Sequence, residues 1–202
     1  MTDQQTVYII DDDEAIRDGM EMLLASIGLN AKSFVNGQEF LKEFNDDMKG
    51  CIVLDIRMPK MSGLELQLKL KELNSLLPII FITGHGDIPM AVEAMRNGAI
   101  DFIRKPFNDQ NLIDRINEAL ALNSKQNASI DNKQKEVRKI SLLSNREKEV
   151  FNLVTEGAMN KMIASELNIS ERTVEVHRSH VMEKLGAKTL AQLVRIKILS
   201  EQ

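Results

Sequence analysis

Over the first 122 residues, short apolar runs alternate with longer segments whose apolar positions recur at helical spacing. The runs are residues 7–10, 31–35, 51–54, 78–82 and 100–103, which predict five strands. The first, third and fourth runs are almost continuously apolar, the pattern of parallel strands covered on both faces. Between the runs, Ile16, Met20, Leu23, Leu24 and Ile27 form one helical stripe, and Leu64, Leu66, Leu68, Leu70 and Leu73 crowd a second helix after Ser62. Met90, Val92, Ala94 and Met95 belong to a third helix, and Leu112, Ile116, Ala119 and Leu120 to a fourth. The pattern predicts an α/β fold, a doubly wound, five-stranded parallel sheet.

Residues 123–136 hold only Ala128 and Ile130 as apolar residues, so a linker is expected over 123–137, with an extension of the preceding helix as the alternative. Beyond it come four short helical segments, 145–155, 160–167, 171–185 and 189–199, with no strand pattern. Breaks at Glu156-Gly157, Asn168 to Ser170 and Gly186-Ala187 separate them. The expected organisation is a domain over 1–122, the linker, and a small all-α four-helix domain over 138–202.

Charge divides along the same line. Residues 1–122 carry 12 Lys and Arg against 20 Asp and Glu, whereas residues 137–202 carry 11 basic and 8 acidic residues, so the formal charge of -4 joins an acidic half to a mildly basic one. That balance permits nucleic-acid binding in the second half without arguing for it. Cys51 is the one cysteine, in an apolar run, which excludes an internal disulfide framework and suits a reducing, cytoplasmic setting. No apolar run approaches the roughly 18 residues of a membrane helix, and no membrane association is expected.

In an open parallel sheet, chemistry gathers at the carboxyl ends of the strands. The first strand delivers Asp11, Asp12 and Asp13 there, the third Asp55, the fourth Thr83, and the fifth leads through Phe102 to Lys105-Pro106. Asp13-Glu14 reads as a helix cap. Asp11, Asp12 and Asp55 converging on one edge would repel unless a cation joined them, and hard oxygen ligands of this kind suit Mg²⁺. Lys105 sits at the same rim, where its ammonium would face any anion that the metal also binds.

Asp11-Asp12, Asp55 with Met58-Pro59 and Gly63, Thr83, and Lys105-Pro106 follow one another in the order of the response-regulator receiver domain, which residues 5–122 resemble. The stretch from Ile82 to Ala91 is similar to the FixJ-type branch. The resemblance implies that Asp55 is the phosphoacceptor, that Asp12, Asp55 and the backbone carbonyl of Arg57 bind Mg²⁺ with Asp11 assisting through water, and that Lys105 and Thr83 contact the phosphoryl group. It also implies that Thr83 and Phe102 act as a switch pair. Arg57 and His85, each two positions past a site residue, are expected to overhang the cleft and tune the lifetime of the phosphoryl group.

In the second half, residues 160–185 read as helix, short turn and second helix, with Val174, Val181 and Leu185 on one face of the latter and Glu175, Val176, Ser179 and Glu183 largely opposite. An outward Val176 suits contact with a thymine methyl, while Lys161, Arg172, Thr173 and Arg178 suit phosphates. His177 lies beside the inner stripe. Leu143-Ser144-Asn145-Arg146-Glu147, Gly157, Asn160-Lys161, Ile163-Ala164, Leu167 and the run from Arg172 to His177 resemble a LuxR-type DNA-binding domain over roughly 138–200, and Ser144 with Glu147 has the form of a capping box. Glu175 must find a cytosine amine in the groove or repel phosphate. The two resemblances together imply a phosphorylation-controlled transcriptional regulator and no metabolic enzyme. Its expected partners are a sensor histidine kinase, promoter DNA, RNA polymerase and, once phosphorylated, a second copy of itself. A haloacid-dehalogenase-like phosphohydrolase would need an Asp where Arg57 stands, and a phosphorelay without DNA is the remaining alternative.

Overall fold

The computed structural model describes residues 5–84 and 88–201. The first half is a five-stranded parallel sheet in the order β2-β1-β3-β4-β5, with β1 Thr6–Ile10, β2 Asn30–Phe34, β3 Gly50–Asp55, β4 Ile79–Thr83 and β5 Asp101–Arg104. Each strand lies within one residue of its expected bounds at either end. Helices α1 (Glu14–Ser26), α2 (Gly37–Glu43), α3 (Gly63–Glu72), α4 (Ile88–Arg96) and α5 (Asp109–Ser141) complete the expected doubly wound fold. Successive side chains of a strand point to opposite faces, so the continuous apolar runs feed two separate cores. Val7, Ile9, Cys51, Val53, Ile80 and Ile82 meet Met20 and Leu24 of α1 and Leu112, Ile116 and Ala119 of α5. Tyr8, Ile10, Ile52, Leu54 and Phe81 meet Phe40 of α2, Leu66 and Leu70 of α3, and Ala94 of α4.

Three elements depart from the sequence pattern. Helix α2 was not expected; it is short, and among its residues only Gly37 and Phe40 are buried, which leaves no periodic stripe to read. In α3 the leucine-rich run misleads, because the buried positions are Gly63, Leu66, Gln67 and Leu70, while Leu68 and Leu73 are exposed. The amide of Gln67 is turned inward to donate to the Ala94 carbonyl of α4 at 2.9 Å. Finally, residues 123–136 are helical throughout as part of α5, as the alternative of a continued helix has it.

Asn123 ties the start of this stretch to the sheet. It is fully buried, accepts the Gly50 N–H at 2.9 Å, donates to the Leu76 carbonyl at 2.8 Å and accepts from Asn127 at 2.9 Å. Gly50 has φ +136°, and a β-carbon there would fall 1.8 Å from the Thr6 carbonyl oxygen, so only glycine fits where α5 is tied to the sheet. The chain divides into two compact units, Met1–Asn127 and Ala128–Gln202, and α5 runs from one into the other. No helix among the described residues is long and apolar enough to cross a membrane.

The second unit adds α6 (Asn145–Thr155), α7 (Asn160–Leu167), α8 (Glu171–Leu185) and α9 (Leu190–Glu201). Leu143, Val150, Phe151, Val154, Ile163, Val174, Val181, Leu185, Leu193 and Ile196 form its core. The turn between α7 and α8 passes through Asn168 in the left-handed conformation, φ 52°, a geometry that asparagine tolerates better than most residues. The expected capping box is present: Ser144 Oγ accepts the Glu147 N–H, and the Glu147 carboxylate accepts the Ser144 N–H at 2.7 Å. Glu147 is only 4% exposed and also accepts from Lys184 Nζ of α8 at 2.7 Å.

The bond from Lys184, reinforced by that from the Ser144 backbone, holds the Glu147 carboxyl at about 2, against an ordinary 4.5. A depressed carboxyl stabilises the fold above its unfolded value, and that contribution is lost as the pH falls towards the folded one. The unfolding midpoint of the second unit in urea, followed by its own amide resonances, should therefore be lower in Glu147→Gln than in wild type at about pH 6, and the gap should narrow by about pH 3. A pH-independent gap would contradict the ion-pair account.

Candidate functional site

The carboxyl ends of β1, β3, β4 and β5 bring most of the expected residues to one edge. Asp11, which directly follows β1, is 1% exposed, and Asp55, the last residue of β3, is 6% exposed. Lys105, just past β5, donates from Nζ to Asp11 Oδ2 at 2.6 Å and to Asp55 Oδ1 at 3.0 Å. The second oxygens are also engaged: Asp11 Oδ1 accepts the Asp13 N–H at 3.0 Å, and Asp55 Oδ2 accepts the Arg57 N–H at 3.1 Å. Asp12 is exposed, yet ligand atoms of Asp11, Asp12 and Asp55 all lie within 4.8 Å of one another. Thr83, buried at the end of β4, accepts the Lys105 N–H through its carbonyl at 2.7 Å, and β4 pairs with β3 so that Ile82 stands opposite Asp55.

Local sequence explains the precision of the edge. A side chain at Gly63 would place its β-carbon 2.3 Å from the Asp55 carbonyl oxygen, so the start of α3 approaches Asp55 only because position 63 is glycine. Asp13 caps α1 by accepting from Ala15 N at 2.9 Å and Ile16 N at 3.4 Å, as its sequence position suggested. Burial pushes the Asp55 carboxyl above its usual range despite the opposing bond from Lys105. Burial pulls the Lys105 ammonium down, but its bonds to Asp11 and Asp55 prevail and leave it raised. The edge thus combines a basic, half-screened carboxylate, a permanent cation and two further carboxylates. Such a set has the chemistry to hold a hard divalent cation and to stabilise charge on an incoming oxyanion.

Phe102 stands opposite Phe81 in the β4–β5 register and is partly buried against the α2–α4 layer. The Arg57 side chain is exposed at the mouth, and His85 lies outside the described residues. Arg17 was missed at the sequence level: its Nη1 donates to the Asp11 carbonyl at 2.8 Å. The partner is backbone, which leaves no signature in residue spacing.

On the second unit, α8 buries Val174, Val181 and Leu185 and exposes Arg172, Glu175, Val176 and Ser179, as the stripe predicted. Val176 is 47% exposed on this otherwise polar face. Lys161 is exposed at the start of α7. Two residues are more constrained than their type suggested. The Thr173 hydroxyl is within 2.7 Å of Ser170 Oγ, the N-cap of α8, and Arg178 is half-buried and donates to Asn160 Oδ1 at 2.6 Å. His177 is half-buried beside the inner stripe. Helices α6 and α8 have serine caps, whereas Met159 gives α7 no side-chain cap.

Comparison with known proteins matches both units to families. Residues 7–117 match the response regulator receiver domain, and residues 141–197 match the luxR family of bacterial regulatory proteins. The chain is 45% identical to response regulator protein TmoT of Ectopseudomonas mendocina over 97% of its length and 90% of that protein's. It is 44% identical to the transcriptional regulatory protein FixJ of Rhizobium meliloti, over 98% and 97% of the two. Among solved structures, response regulator StyR superposes with a TM-score of 0.89 at 44% identity, covering 96% of this chain and 98% of that one. Full-length FixJ from B. japonicum gives a TM-score of 0.59 at 40% identity over 98% of each chain. With both domains matched in order, the chain belongs to the two-component response regulators that join a receiver to a LuxR-type DNA-binding domain, and it is a transcriptional regulator of that family.

Proposed function

We propose that Asp55 is the phosphoacceptor and that its phosphorylation controls DNA binding by the second unit. The observation that carries this reading is the 3.0 Å contact of Lys105 Nζ with a 6%-exposed Asp55, beside two further carboxylates. A carboxylate oxygen of Asp55 attacks phosphorus, the bond from phosphorus to the donor's leaving atom breaks, and the product is an acyl phosphate. A histidine kinase is the donor that the receiver family implies. The hard oxygen set of Asp11, Asp12 and Asp55, with the Arg57 carbonyl, suits Mg²⁺, which when bound would offset charge on the phosphoryl oxygens. Lys105 then exchanges its bond to Asp55 for one to the phosphoryl group, and Thr83 donates its hydroxyl to the same group. Arg57 screens it from water.

The inward movement of Thr83 opens room for Phe102 and so alters the face formed by α4 and β5. That face suits a second copy of the chain: Ile88, Val92 and Met95 follow one stripe of α4 and are all exposed, Ile88 at 76%. Two tethered α8 helices read two half-sites, and the second contact gains from high effective concentration. Val176 meets a thymine methyl, with Glu175 and Ser179 at base edges. Lys161, Arg172, Thr173 and Arg178 meet phosphates, and RNA polymerase is the downstream partner.

Treatment with acetyl phosphate and Mg²⁺ should add one phosphoryl mass to the intact wild-type chain and none to Asp55→Asn. An undiminished adduct in the variant would remove Asp55 from its role. For the second step, beryllofluoride, a phosphoryl mimic, should convert the full-length protein from monomer to dimer in sedimentation at tens of micromolar, and Val92→Lys should prevent the shift. Tight promoter binding by an activated protein that stays monomeric would rule out dimer control.

A further inference from the structure

The Asp12 carboxylate carries no hydrogen bond among the described residues, although it must hold its place beside Asp11 and Asp55 against the repulsion of both. Its position is therefore set by the backbone on either side. On the far side, Asp13 is fixed twice: its N–H donates to Asp11 Oδ1 at 3.0 Å, and its carboxylate caps α1. On the near side, the Asp11 N–H is fixed by the Phe34 carbonyl at 3.2 Å, but neither this bond nor that of the Asp13 N–H engages the carbonyl of the Asp11–Asp12 peptide. That carbonyl is held by Arg17 Nη1, which reaches back from α1 to it at 2.8 Å. Arg17 is half-buried, so the contact is sheltered from bulk water.

We propose that Arg17 is a positioning residue for the cation site: by holding the Asp11–Asp12 peptide, it aims the Asp12 carboxylate at the ion. The inference rests on the reading of this edge as a divalent-cation site. It assigns Arg17 a direction of effect that its charge alone would not give. A guanidinium near three carboxylates repels Mg²⁺ by Coulomb's law, so a purely electrostatic Arg17 would weaken ion binding, and its removal would strengthen it. A positioning Arg17 gives the opposite sign, because losing the partner that orients a ligand residue weakens metal binding by about tenfold.

The test is a calorimetric Mg²⁺ titration of the full-length protein without phosphodonor, comparing wild type, Arg17→Met, Arg17→Gln and Arg17→Lys, with Asp12→Asn as reference. Met keeps the apolar stem and Gln is too short to reach the carbonyl, so both should bind Mg²⁺ about tenfold more weakly, while Lys retains a donor within reach and should recover most of the loss. The Mg²⁺ concentration that half-saturates labelling by acetyl phosphate should rise by the same factor in Met and Gln. If Arg17→Met loses its circular dichroism signature, Arg17→Gln decides in its place. Binding by the folded variant that equals or exceeds wild type overturns the proposal. Failure of the wild-type protein to take up Mg²⁺ at all would instead overturn the reading of the site on which it rests.

Discussion

The receiver half is organised around a repulsion. Its parallel sheet brings Asp11, Asp12 and Asp55 to one edge with ligand atoms within 4.8 Å, a distance at which unit charges repel appreciably even at an effective dielectric of about 20. Two of the three are nearly excluded from water, so solvent cannot relieve the strain. Lys105 does so by bridging Asp11 and Asp55, and the geometry around it is built to keep it there: its own N–H is tied to the Thr83 carbonyl at the end of β4. An arrangement of three carboxylates with one fixed cation still carries excess negative charge. It is therefore predisposed to a divalent ion, and under the proposed function a phosphoryl group would compete for the same ammonium.

Under the same proposal, that competition is how chemistry at the edge would reach the surface. Thr83 and Phe102 lie on the adjacent strands β4 and β5, and the neighbouring α4 is held lightly: Ala94 is its one buried residue, and the inward amide of Gln67 bonds its backbone. A helix with so little burial and an exposed apolar stripe can change its surface at small cost, whereas β3, buried at all six positions, cannot. In the second unit, the bond between Glu147 and Lys184 joins α6 to α8, and that between Asn160 and Arg178 joins α7 to α8. The exposed face of α8 is thus presented by a frame of three helices tied by these bonds.

Much of this was legible in the sequence because it depends on side-chain type at regular spacing. The strands were found because both sheet faces are covered, which makes whole runs apolar, and the helices of the second unit because each has one apolar stripe and a clear break. Asp11, Asp12, Asp55, Thr83 and Lys105 were legible because each ends a strand or lies within two residues of its end. What escaped depends on the backbone or on inverted polarity. Helix α2 contributes a single aromatic residue to the core. Gln67 is buried while Leu68 is exposed, and Asn123 is a core residue in a stretch that composition assigns to solvent. Arg17 acts on a carbonyl, which no residue pattern announces.

The central claim is that mutual repulsion among these carboxylates is relieved by a bound cation. It is tested most directly by following the thermal unfolding midpoint of the receiver unit, within the full-length protein, as Mg²⁺ is raised at constant ionic strength. Ion binding to the folded state alone predicts a midpoint that climbs with the logarithm of Mg²⁺ concentration in wild type and stays flat in Asp12→Asn, whose midpoint without Mg²⁺ should already exceed that of wild type because one repelling charge is gone. A wild-type midpoint insensitive to Mg²⁺, or an Asp12→Asn variant less stable than wild type in its absence, would contradict the account.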